Sequence, residues 1–149
     1  MGPAGMYGSR TWGTPFLGAG AEFRSTLQTW HLSLLKNVLG IKKSAPNWAV
    51  LRECGQEPLQ FHWFRAAAKF FNSVVQNPNP FVKNMFSADV SLSPRASICW
   101  SAQFMNAFDG IPHGAAYVHA VENLHLVECK ICIPDLRVRH VRVWREMAQ

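Results

Sequence analysis

Nine basic side chains fall in three groups whose types and spacing suit contact with phosphate: Lys36, Lys42 and Lys43; Arg65 and Lys69; and Arg137, Arg139, Arg142 and Arg145. The last group is the densest. Its guanidiniums, beside Trp144, are planar forks matched to phosphate oxygens and able also to stack on bases. Arg65 and Lys69 lie four apart, on one face of any helix that carries them. Lys36, Lys42 and Lys43 sit near an expected helix C-terminus, where the dipole favours cations with or without a phosphate. Net charge supports the grouping: residues 1–43 carry +4, residues 44–129 carry −1 and residues 130–149 carry +3, making the total of +6. Basic ends around a near-neutral middle suit nucleic acid or an acidic protein surface, and a solvated basic surface explains the charge equally well.

Other chemistry is poorly supplied. Asp89, Asp109 and Asp135 are scattered and each sits in a capping or turn context. Glu53 and Glu57 flank a corner, where pairing with Arg52 and Arg65 explains them better than a catalytic carboxylate pair. No Gly-rich phosphate loop and no nucleophile elbow occurs, nor the acidic tetrad of metal-dependent nucleases and polymerases. The expectation is a protein that is not an enzyme and takes no cofactor. One cluster has metal-ligand types: His119, His125, Cys129 and Cys132. Its spacing matches no common zinc finger or knuckle, and two histidines six apart point to poorly matched sides of a helix. The expectation is therefore no metal, with four reduced cysteines acting as small apolar residues.

The elements that must position these groups read as helices. From Pro58 onward Leu59, Trp63, Ala67, Phe70 and Val74 recur at helical spacing, with Phe64, Phe71 and Val75 widening the apolar stripe. The remaining polarity, His62, Arg65, Lys69, Asn72 and Gln76, follows one line. A short helix ending at Gly55 and a long one starting at Pro58 make a tight elbow. Around it the periodicity predicts helices over about 22–39, 47–54, 58–76, 80–88, 94–108, 114–125 and 134–147, with Ser93 and Pro94 as the start signal of the fifth. Residues 126–133 read as extended or irregular, and Val138 to Val143 also partly fit a strand. Residues 1–20 hold six of the ten glycines and read as a flexible segment, although Tyr7, Trp12 and Phe16 suit packing on something. The fold class is all-α: one helical domain over 21–149, a small irregular bundle around the buried helix 58–76.

No apolar run approaches the roughly 18–20 residues that cross a bilayer. The first residues lack the build of a signal peptide. A soluble intracellular protein, nuclear or cytoplasmic, with no membrane partner is expected.

The elbow also resembles a known family. E-C-G-Q-E-P-L, from Glu53 to Leu59, is similar to the E-L-G-x-x-P-L signature that follows the polymerase core in non-LTR (LINE-type) retrotransposon reverse transcriptases. Y-G-S-R-T-W-G, from Tyr7 to Gly13, resembles the family's Y-G-x-x-x-W segment. L-L-K-N-V-L-G-I-K-K-S-A-P-N-W-A-V-L, from Leu34 to Leu51, resembles L-K-x-x-L-G-V-K-x-x-T-P-N-x-A-V in the same order. The resemblance covers residues 7–76. Cys54 stands where the family usually has leucine, and the Tyr-x-Asp-Asp polymerase motif is missing. What the resemblance implies is a non-catalytic, retrotransposon-derived module from the region after the polymerase. That region helps hold template RNA or target DNA, and its partner would be a polymerase domain encoded elsewhere. The alternative expectation is a vestigial or protein-interaction fragment with no independent activity.

Overall fold

The computed structural model describes residues 8–147. Every regular element among them is helical: α1 Ser9–Trp12, α2 Thr26–Val38, α3 Asn47–Glu53, α4 Leu59–Val75, α5 Pro80–Leu92, α6 Trp100–Asn106, α7 Gly114–Glu122 and α8 Cys129–Met147. Two 3-10 turns, Thr14–Phe16 and Ala21–Arg24, join α1 to α2. The all-α expectation is met. So is the central position of α4, whose Trp63, Ala67 and Phe71 are wholly removed from solvent.

The elbow before α4 is made by backbone geometry. Gly55 adopts φ 61°, a left-handed conformation that costs glycine little. Its N–H reaches the Arg52 carbonyl at 3.1 Å and the Gln56 N–H reaches that of Leu51 at 2.9 Å. This is the paired-bond Schellman ending, which satisfies two carbonyls that α3 would otherwise leave open. Pro58 stands just outside α4 rather than in its first turn. The first free amide of α4, Leu59 N–H, donates to Gln28 Oε1 of α2 at 2.8 Å. A cross-helix side chain thus does the work of a local cap.

Residues 8–20, expected to be flexible, are packed, and residues 1–7 lie outside the described residues. Trp12 and Phe16 set their rings against Trp63 at 5.5 and 5.7 Å. Gln60 Nε2 donates to the carbonyls of Phe16 and Gly18 at 2.7 and 2.8 Å, and Leu17 is buried. Gly13 permits the approach: a Cβ there would stand 3.0 Å from Trp63 Cβ and 2.5 Å from the Ser9 carbonyl. The aromatic residues of this segment find their partner within the chain.

Several expected boundaries move. The helix expected over 22–39 is a 3-10 turn followed by α2. The helix expected over 94–108 begins only at Trp100, because Ser93 closes α5 instead of opening α6. Asp89 of α5 accepts from the Ser101 N–H at 2.8 Å, so the cap of α6 comes from a neighbouring helix. Ile98, in the turn before α6, is 83% exposed. Residues 129–133, read as extended or irregular, are the first turns of α8, and Pro134 lies inside that helix. Asn72 fixes the approach to α8, donating to the Val127 carbonyl and accepting from its N–H, both at 2.9 Å. That replaces Asn72's expected place on a solvated line with a structural one.

Candidate nucleic-acid interface

On α8 the four arginines point different ways. Arg139 turns inward and is 2% exposed. It donates to the carbonyls of Leu17 at 2.7 Å, Ala107 at 2.6 Å and Asp109 at 3.0 Å. Arg142, still exposed, donates to the Gly110 carbonyl at 2.6 Å. Ala107 is the C-cap of α6. Both guanidiniums therefore meet the carbonyl-rich end of α6 and its following turn, where the helix dipole favours positive charge. Arg139, expected to contact nucleic acid, is instead an internal clasp. Lys36 is corrected likewise: it is 8% exposed and its Nζ donates to the Lys43 carbonyl at 2.8 Å, closing the turn after α2.

Glu57, at the elbow, bridges two of the other cations. Arg65 Nη2 lies 3.0 Å from Glu57 Oε2, and Arg137 Nε donates to Oε1 at 2.8 Å. Burial alone would raise the Glu57 carboxyl, but the hydrogen bonds and charges of Arg137 and Arg65 outweigh it and hold the carboxyl below its ordinary value. A folded-state value below the unfolded one stabilises the fold at pH above about 4.3. That stabilisation is lost as pH falls through the depressed folded value. Thermal melts through the acid range are expected to show this loss in the native protein and a flatter profile in Glu57→Gln. Identical profiles for the two would exclude the bridge.

Arg145 is exposed at one wall of a cleft between α3 and α8, of about 500 Å³, lined by Trp48, Arg52, Val141, Trp144 and Arg145. A second hollow, of about 480 Å³, continues along α8 over Arg137, Val138, Val141, Arg142 and Arg145. At the other end Trp48 and Trp144 pass into a third, which Phe23 and Met147 also line. The shared residues make one surface. It extends toward α4 through a shallow hollow between Arg65, Lys130 and Arg137. Among the described residues, neither Asp nor Glu lines any of these hollows. Trp144 packs against His140, with ring centroids 3.7 Å apart, and against Phe23 at 6.3 Å.

The structure thus brings Arg65, Arg137, Arg142 and Arg145 onto one surface. Lys42 and Lys43 are exposed on the loop between α2 and α3, and Lys69 on the outer side of α4. Sequence reasoning missed Trp48 and Arg52. Their signal was their spacing of four on the helix expected over 47–54, which places an aromatic ring and a guanidinium on one face.

Among the described residues, no three His, Cys, Asp or Glu side chains converge as a metal-ligand set. His119 and His125 stand with ring centroids 6.4 Å apart. Burial raises both thiols on α8, that of Cys132 to about 12. Among the described residues, no helix is long and apolar enough to cross a membrane. A separate apolar feature lies on α2, where Trp30, Leu34 and Val38 recur every four residues with exposures of 54, 40 and 75%. The chain matches no protein-family model, no curated protein and no solved structure.

Proposed function

We propose that this chain is a non-catalytic nucleic-acid-binding module, using the outer face of α8 and the neighbouring end of α3. One observation carries the reading: Arg52 and Arg145 flank Trp48 and Trp144 on a surface without acidic lining. Guanidiniums there can contact backbone phosphates while the rings take bases. From Arg137 to Met147 the helix runs about 15 Å, room for about four stacked nucleotides. For origin, we propose the region after the polymerase core of a LINE-type reverse transcriptase, on the strength of the three motif resemblances in residues 7–76. A polymerase domain encoded elsewhere is the partner this origin suggests.

Labelled RNA and DNA oligonucleotides, titrated at increasing salt, test the binding. Affinity is expected to fall steeply between about 50 and 200 mM salt. Arg142→Glu and Arg145→Glu are each expected to weaken binding to every sequence and to flatten the salt slope by about 1. Absence of binding at low salt, or affinity indifferent to salt, sinks the reading. A second reading, a protein-interaction fragment, rests on the exposed stripe of α2. It predicts association that rises with protein concentration, ignores nucleic acid and is lost in Trp30→Ser.

A further inference from the structure

We infer that the cleft between α3 and α8 is a subsite for one unpaired base, which makes the protein selective for single-stranded over duplex nucleic acid. The inference rests on the nucleic-acid reading and goes beyond it. Phosphate contacts alone do not distinguish strands, because duplexes and single strands both present them. The cleft holds more than phosphate donors. Its about 500 Å³ lies within the range of small-ligand sites. Trp48 and Trp144 stand on facing helices, with Val141 between guanidinium-bearing walls. An apolar concavity of this kind gains nothing from a phosphate. It gains from a flat, uncharged ring, and a base in a duplex keeps both faces stacked on its neighbours.

Charge complementarity sets which flat ring it takes. Arg52 and Arg145 stand at the walls, and the hollow continuing along α8 adds Arg142, beside Arg137, which shares its charge with Glu57. A ring entering the cleft is thus favoured when phosphates run from it along α8, which describes a strand rather than a free base. The Trp144 ring, braced by His140 and Phe23, is set before the ligand arrives, so little ordering entropy is lost on stacking.

The test uses the whole chain with labelled oligo(dA) of about 15 nucleotides and an oligo(dA)·oligo(dT) duplex of equal length, at about 50 mM salt. Trp48→Ala is expected to lower affinity for the single strand about tenfold or more and to leave duplex affinity within about twofold. Trp48→Phe, which keeps a ring, should retain most of the single-strand affinity. Arg145→Glu should weaken both. Equal affinity for the two probes, unchanged in Trp48→Ala, overturns the base subsite while leaving nucleic-acid binding intact. No binding to either probe overturns both. Should Trp48→Ala lose its helical circular dichroism, tryptophan fluorescence of the native protein decides instead. Oligo(dA) should quench it and the duplex should not, and equal quenching overturns the subsite.

Discussion

Arg139→Ala is expected to remove a large share of the protein's stability, through lost structure rather than lost ligand contact. The guanidinium satisfies three carbonyls, and its bonds to Leu17 and Ala107 are buried. Each buried acceptor left without a donor costs about 1–3 kcal/mol. Two of them cost about 2–6 kcal/mol, against about 5–15 kcal/mol for a whole domain. Urea unfolding followed by circular dichroism measures this directly. Arg139→Lys should recover only part of the loss, because one ammonium cannot reproduce a planar fork reaching three chain segments. A loss below about 1 kcal/mol in Arg139→Ala would show that water or rearranged neighbours replace the clasp. Arg145→Glu supplies the contrast, being exposed and expected to change stability little while changing binding.

Phe104→Ala should be comparably severe for a different reason. Phe104 is fully buried, and its ring lies 5.0 to 5.9 Å from those of Trp100, Phe108, Phe71 and Phe64. It joins α6 to α4, so truncation opens a cavity among rings too large to close around it. Such changes cost about 3–5 kcal/mol. Phe104→Leu should cost less, because the space is mostly refilled. The expected signature includes loss of near-ultraviolet circular dichroism, since Trp100 and Phe108 lose a wall of their surroundings. A stability within about 1.5 kcal/mol of the native protein would mean this cluster does not organise the core.

What the sequence made legible was what neighbouring residues decide. The limits expected for α3 and α4 fall within a residue of those observed, because glycine and proline act on the backbone where they stand. The buried face of α4 was legible too, since its apolar stripe is wide enough to leave little choice of orientation. Arg139 was not. Its inward turn depends on carbonyls at positions 17, 107 and 109, which no local pattern marks. The start of α6 depends on Asp89 and the approach to α8 on Asn72, again through partners remote in sequence. Half of the candidate surface was legible as an arginine-rich helix with Trp144. The other half, Trp48 and Arg52, sat in a helix read only for its part in the elbow.

The bond from Arg139 to the Leu17 carbonyl joins residues 122 positions apart, and it has a meaning for synthesis. A growing chain makes Leu17 early and must hold that carbonyl open to water until the helix bearing residue 139 has been made. The earlier helices can form as they emerge, but the seam between the first turns and α6 has no cation to close it. That seam therefore closes only when α8 has been made and docks, which sets the order in which these segments can join.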